Sequence, residues 1–363
     1  MADDRAAVAR ARRVVVKLGS RTLAGDPGIF DRLAASVSSR PGCAFVVVSS
    51  GAIALGVKKL GYRARPKEIA RLQAAAAAGQ SLLMRAYEEA FGARGLTVAQ
   101  VLLTYADLAD RTRANNARAA LGALLDASAI PILNENDSVA VDEITLDNDQ
   151  LAAMVAPLVE ADLVVLLSDV EGLLDGRGRR IAVVHDVASD ALPHIRRSTS
   201  TMGRGGMGSK VEAARRATLA GANVVVADGS VPGALDGVLA GDDVGTLFVA
   251  SRDRLSAKKY WIAFTLRPRG DLLLDRGAVE AVRARGKSVL SVGVLGVRGD
   301  FRAGDAVRIV DPDGQEIARG LARCGAGEAA MVAGKAREEL PDGLAELALV
   351  VHADEIAVGL HAP

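Results

Sequence analysis

A chain of 363 residues exceeds what one hydrophobic core usually fills, so two domains of unequal size are expected. Half of the residues are hydrophobic but only 3% are aromatic, so the cores have to be packed closely from Ala, Val and Leu. With 45 Lys plus Arg against 44 Asp plus Glu the net charge is +1, which excludes a protein working by overall attraction to a polyanion. Cys43 and Cys324 are too few and too far apart for a disulfide framework or a thiolate metal site, and they suit a reducing cytosol. The N-terminal apolar run before Lys17 is only VVV, too short for a signal peptide, and no 18-residue apolar span follows. A cytoplasmic protein is the expectation.

From residue 12 to about 250, apolar β-branched runs alternate with Ala-rich helical patterns. The runs are RVVVKLG, FVVVSS, LTVAQVLLT, IPILNEN, LVVLLSD and NVVVADG, closed by TLFVA. Most are continuously apolar, as strands covered on both faces of a parallel sheet must be. Between them PKEIARLQAAAAAGQSLLMRAYEEAF, ADRTRANNARAALGALLDAS and DNDQLAAMVAPLVEA read as crossover helices. The predicted fold class is α/β, a three-layer α/β/α sandwich with a mainly parallel central sheet, over residues 1–255. A polar linker is expected at 256–270. Residues 271–363 read as a small β-rich domain, with strands SVLSVGVLGV, DAVRIV, QEIARGLA and ALVVHADEIAVG and a turn at Asp313-Gly314.

In open α/β sheets ligands collect beyond the carboxyl ends of the strands. Here those ends carry Lys17-Leu18-Gly19-Ser20, Ser49-Ser50-Gly51-Ala52, Asn134-Glu135-Asn136-Asp137, Ser168-Asp169 and Asp228-Gly229, with Asp147-Asn148-Asp149 preceding the fifth strand. Lys17 lies inside a buried run, where an unpaired charge is costly, and so points to function. SSGA, NEND and DND can equally be helix caps or turns, and a lone Lys210 on a helix ordinarily faces water. Gly203 to Lys210, GRGGMGSK, is one transposition away from a P-loop and has no strand before it, so it is not a Walker motif. At the mouth of a helix it still suits a backbone cradle for an anion. The four histidines, His185, His194, His352 and His361, lie outside these clusters, so no base for deprotonating an alcohol is apparent. A carboxylate acceptor needs none, because it is already ionised at neutral pH. Two lysines, glycine turns and two aspartates fit transfer of a γ-phosphoryl group to such an acceptor, with Mg²⁺.

VVVKLGS, VVVSSGAIALG, NEND, DND, LLSDVEGL and GRGGMGSK resemble, in order and spacing, the amino acid kinase superfamily, and most closely its glutamate 5-kinase family. The resemblance covers residues 10 to 250; the tail from about 270 to 350 is similar to a PUA domain. It implies ATP and L-glutamate giving L-glutamyl 5-phosphate with Mg²⁺ as the first step of proline biosynthesis. It also implies feedback inhibition by proline, a homo-oligomer (dimer or tetramer), and handover to glutamate-5-semialdehyde dehydrogenase. Carried onto this sequence, Lys17, Lys210 and Asp149 take catalytic positions. Ser50, Gly51, Asn134, Asp137 and Asn148 take glutamate-binding ones, Asp137 on the α-ammonium and Ser50 and Asn148 on carboxylates. The nucleotide falls to Lys17, Gly19, Ser168, Asp169, Arg204, Gly205, Gly206, Met207, Gly208, Ser209 and Lys210, and no side chain is assigned to the metal.

Four positions, in three places, depart from the family pattern. Arg204 and Ser209 stand where the glycine loop usually has Thr, Leu174 stands where Tyr is common, and Arg21 replaces a small hydroxyl residue. An N-acetylglutamate kinase would need a pocket for an acetamide, against which Asp137 argues. RNA binding through the PUA-like tail is the rival of another class. From Lys259 to Pro363 there are 14 Lys plus Arg against 15 Asp plus Glu, which leaves no basic footprint.

Overall fold

The computed structural model describes residues 2–26, 28–139, 147–195, 206–252, 254–341 and 343–358. The chain forms two compact units, Met1–Arg254 and Leu255–Pro363.

The first unit is built on eight strands: β1 Arg13–Leu18, β2 Ala44–Ser49, β3 Val98–Leu103, β4 Ile130–Glu135, β5 Leu163–Ser168, β6 Val183–Val184, β7 Asn223–Asp228 and β8 Thr246–Phe248. Their spatial order is β3-β4-β2-β1-β5-β7-β8-β6. All pairs are parallel except β7 with β8. The chain leaves β1 toward β2 on one side and returns on the other as β5, so the change of direction falls beside β1.

Alternation along each strand sorts its side chains onto two faces. Val14, Val16 and Leu18 join a core with Leu33, Leu83, Tyr87 and Leu235, under the helices Ile29–Ser38, Ile69–Gly92 and Ala234–Ala240. Val15 joins the opposite core with Leu121, Leu151 and Val211, under Arg111–Asp126, Asn148–Val155 and Met207–Leu219. The result is three layers, α/β/α. Lys17 has the parity of Val15, and this alone sends its ammonium group toward the helices that begin at Asn148 and Met207. The helix expected through residue 161 ends at Val155, two residues before Pro157, whose ring cannot continue it.

Helix Ala52–Lys59 crosses helix Ile69–Gly92 almost in backbone contact. A Cβ on Gly56 would lie 1.7 Å from the Ala75 carbonyl oxygen, and one on Gly79 would lie 1.7 Å from that of Ala52. An N-terminal helix, Ala2–Ala9, was not foreseen in the basic leader. Its Arg5 is 7% exposed and donates to the carbonyls of Val244 (2.7 Å), Ala182 (3.1 Å) and Gly245 (3.0 Å), pinning the helix to the β6 and β8 edge.

In the second unit the expected linker 256–270 is corrected. Ser256 caps a helix, Ala257–Tyr260, that runs on into a π-helical turn, Trp261–Thr265. Ile262, Ala263 and Phe264 are buried, so this apolar stretch packs instead of linking. A five-stranded sheet follows, made of β9 Gly270–Leu274, β11 Val294–Gly299, β12 Ala306–Val310, β13 Glu316–Leu321 and β15 Ile356–Val358, in the order β11-β9-β12-β13-β15. A pair, β10 Val289–Leu290 and β14 Leu349–Val351, stands apart from it. Two helices, Arg276–Arg285 and Ala326–Val332, interrupt what the sequence suggested as strands alone; Asp275 caps the first through the Ala278 N–H (2.7 Å).

Candidate active site

Three charged side chains, distant in sequence, meet beside the end of β1. Lys17 Nζ lies 2.7 Å from Asp149 Oδ1, and Lys210 Nζ lies 3.1 Å from Asp149 Oδ2. All three are buried, Asp149 completely, Lys210 to 3% and Lys17 to 5% exposure. The Lys210 contact is a directed hydrogen bond, whereas the shorter Lys17 contact is a charge pair off the hydrogen-bond angle. Charges so deeply withdrawn from water are tolerated only when paired. One carboxylate, in the first turn of the Asn148 helix, holds two ammonium groups, one from the end of β1 and one from the first turn of the Met207 helix.

A second set of contacts ties those helices together. Asp147 caps the Asn148 helix by accepting from the Asp149 N–H (3.1 Å), and its other oxygen accepts a short hydrogen bond from Ser209 Oγ. Gln150 Nε2 donates to the Ser209 carbonyl at 2.9 Å. The hydroxyl of Ser209, expected at the nucleotide, is therefore directed to Asp147. Gly206 is the N-cap of the helix that Met207 and Gly208 open, with no side-chain cap, so its first N–H groups have no such partner. Arg204 and Gly205 lie outside the described residues. Gly19 leads from β1 into the helix Ser20–Gly25 and donates its N–H to the Leu167 carbonyl (3.1 Å).

On the other side of Asp149 lie the positions expected for the amino acid. Asn148 Nδ2 donates to Ser50 Oγ (2.8 Å), to the Ser49 carbonyl (3.1 Å) and to Asn134 Oδ1 (3.2 Å), so Ser50, Asn134 and Asn148 come together. Gly51 has φ 99°, a left-handed conformation that favours glycine, and it starts the helix Ala52–Lys59. Beneath them Tyr87 donates to Ser49 Oγ (2.8 Å); burial pushes its phenol well above the ordinary range, which keeps it a donor. Asp137 is half-buried just after β4. Burial raises its pKa, with the charge of Arg65 acting against the rise, and no hydrogen bond to its carboxylate comes from the described residues.

Ser168 and Asp169 close β5. Ser168 Oγ donates to Asp169 (3.0 Å), and Arg21 pairs with Asp169 at 2.7 Å, its guanidinium holding that carboxyl below the usual range. Arg21 is thus partnered as well as exposed. Leu174 bridges to Arg180 across a tight turn. Within it Asp175 accepts from the N–H groups of Arg177 and Arg179, which lower its pKa to about 2. Sequence reasoning overlooked Gln80, Gln100 and Gln150. The available signal for Gln80 was one amide at the end of an alanine tract.

Comparison with known proteins follows the same division. Residues 12–228 match the model of the amino acid kinase family, and residues 270–344 match that of the PUA domain. The chain is 46% identical to a glutamate 5-kinase of Myxococcus xanthus, covering 99% of both sequences. A glutamate 5-kinase of Geobacter metallireducens is also 46% identical, over 86% of this chain and 87% of that one. One from Pseudomonas putida W619 is 42% identical, over 98% of this chain and 100% of that one. With motif order, sheet topology and these likenesses in agreement, the chain belongs to the amino acid kinase family, among its glutamate 5-kinases, and carries a PUA domain at its C-terminal end.

Proposed function

We propose that the chain transfers the γ-phosphoryl group of ATP to the side-chain carboxylate of L-glutamate, forming L-glutamyl 5-phosphate, as the first step of proline biosynthesis. The observation that carries this reading is the convergence of Lys17 and Lys210 on Asp149. A carboxylate oxygen of glutamate forms the new P–O bond while the bond from the γ-phosphorus to the bridging oxygen breaks and ADP leaves. No proton moves, so no base is required. Negative charge builds on the equatorial and bridging oxygens, and two ammonium groups fixed in a dry site stabilise it without reorganising. Asp149 aims them. The N–H groups that open the Met207 helix serve the nucleotide phosphates, and Ser168, Asp169 and Arg21 border its place.

Mg²⁺ belongs to the same reading. Among the described residues no group of three His, Cys, Asp or Glu side chains could hold a metal, and both oxygens of Asp149 face lysines. The donor set fits a metal that enters on the nucleotide phosphates, where it would neutralise the polyphosphate. Proline as feedback inhibitor, a homo-oligomer, cytoplasmic residence and handover to glutamate-5-semialdehyde dehydrogenase complete the proposal; among the described residues no helix is long and apolar enough to cross a membrane.

The test is trapping with hydroxylamine in the presence of ATP and Mg²⁺. Hydroxamate is expected from L-glutamate and not from N-acetylglutamate or aspartate; a signal of equal size from N-acetylglutamate would overturn the assignment. Asp137→Ala is expected to raise the KM for glutamate by about 10- to 100-fold, the worth of a charged hydrogen bond, with the KM for ATP within about twofold of wild type. Unchanged glutamate KM would remove Asp137 from the substrate contact.

RNA binding through the PUA domain has less support. A cleft of about 510 Å³ there is lined by Arg269, Arg298, Arg308 and Arg319. Arg308 is held bidentately by Asp271 (2.6 and 2.8 Å), Arg319 by Glu316 (2.6 Å), and Arg269 pairs with Asp305 (3.6 Å), so three of the four arginines already face a carboxylate.

A further inference from the structure

The side-chain amides behind the candidate glutamate site all run in one sense. Gln80 Nε2 donates to Gln100 Oε1 at 3.3 Å, Asn134 Nδ2 donates to Gln80 Oε1 at 3.0 Å, and Asn148 Nδ2 donates to Asn134 Oδ1 at 3.2 Å. Two backbone groups agree with that sense. The Glu135 N–H donates to Asn134 Oδ1 (2.9 Å), as it can only to the oxygen of that amide. The Ser49 carbonyl accepts from Asn148 Nδ2 (3.1 Å), as it can only from the nitrogen. Turning over Gln80 or Asn134 alone would set donor against donor at one junction and acceptor against acceptor at the next.

The relay has a consequence at its inner end. The two hydrogens of Asn148 Nδ2 are shared among three acceptors, and nothing is left to donate. Asn148 Oδ1 is the opposite case, a buried oxygen with no hydrogen-bond partner. Buried acceptors without a donor are costly, and one at a binding site calls for a donor from the ligand. Glutamate at neutral pH has two carboxylates, which cannot donate, and one α-ammonium, which can. The expectation that Asn148 binds a substrate carboxylate therefore conflicts with the polarity of the network.

We propose that Gln80 is a positioning residue that locks Asn134 and Asn148 in the sense that offers Asn148 Oδ1 to the α-ammonium of the amino-acid substrate. The proposal rests on the glutamate kinase reading. Gln80 is 8% exposed and Asn134 3%, so neither amide can turn to water for a substitute partner. Gln80 touches no reacting atom and acts through two other side chains.

The experiment compares glutamate with glutarate, the same dicarboxylate without the amino group, in the full-length enzyme. Gln80→Met keeps the length of the side chain and removes the acceptor for Asn134 Nδ2. It is expected to raise the KM for glutamate about tenfold. The inhibition constant of glutarate and the KM for ATP should stay within about twofold of wild type, because neither measures the ammonium contact. Gln80→Glu keeps an oxygen facing Asn134 and is expected to hold the glutamate KM within about threefold. A general loosening of the pocket would move glutamate and glutarate together, and that outcome overturns the proposal, as does an unchanged glutamate KM in Gln80→Met. Should Gln80→Met fail to fold, Gln100→Leu carries the same comparison, since loss of the outer acceptor frees the Gln80 amide to turn over. A wild-type enzyme that forms no hydroxamate from glutamate refutes the functional reading. A wild-type enzyme that does, beside an unaffected Gln80→Met, refutes the relay alone.

Discussion

Lys210→Ala is expected to lower kcat for glutamyl phosphate formation by about 10²- to 10³-fold, the usual effect of removing one preorganised donor from developing transition-state charge. The KM for glutamate should move by no more than about threefold, because Ser50 and Asn148 are held by contacts that do not include Lys210. Stability should change little as well, since the buried Lys17–Asp149 pair remains, one charge against one, 2.7 Å apart. Asp149→Ala is the contrasting variant. It leaves two buried ammonium groups facing each other with their shared carboxylate gone, a loss of about 3–5 kcal/mol on top of the catalytic defect. Steady-state kinetics with hydroxamate trapping and urea unfolding separate the two variants. If Lys210→Ala kept more than about a tenth of wild-type kcat, the two-lysine account of phosphoryl transfer would fail.

Much of this site can be read directly from the sequence, and the reason is parity. VVVK places Lys17 on the Val15 face once the strand is recognised, and a charged group in a continuously apolar run has to find a partner. The strand ends then converge because the strands are parallel, which their unbroken apolar runs already imply. What stays hidden depends on pairings the chain makes across long separations. Ser209 looks like a phosphate ligand until the Asn148 helix is laid beside it and Asp147 takes its hydroxyl. Arg21 looks like a solvent-facing exception until Asp169 is placed next to it. Gln80 is hidden most completely, since an amide inside AAAAAGQ has no local feature that reveals Asn134 as its partner 54 residues away. In the tail, SAKKYWIAF reads as a polar linker from its first residues, and only the apolar remainder, buried in the second unit, makes it a helix.

Gly79→Ala is expected to be, with Gly56→Ala, among the most damaging single-methyl changes in the first unit. The added Cβ would lie 1.7 Å from the Ala52 carbonyl oxygen and 2.5 Å from the Gly56 nitrogen, against roughly 3.5 Å for an ordinary contact. Both obstacles are backbone, so no side chain can turn aside and the two helices have to separate. Overpacking of this kind costs about 3 kcal/mol or more, which lowers the urea midpoint by about 1 M. The damage also reaches the site. Ala52 directly follows Ser50-Gly51, Gln80 directly follows Gly79, and separating the helices pulls the serine and the amide relay apart. Glutamate KM should therefore rise in whatever fraction still folds, while Gly92→Ala supplies the control. Gly92 ends the same helix with nothing within 4 Å of its added Cβ, and alanine there should be neutral or stabilise by up to about 1 kcal/mol through its better helix propensity. If the two variants unfolded at the same urea concentration, the close crossing of Ala52–Lys59 with Ile69–Gly92 could not be what holds Ser50 and Gln80 in place.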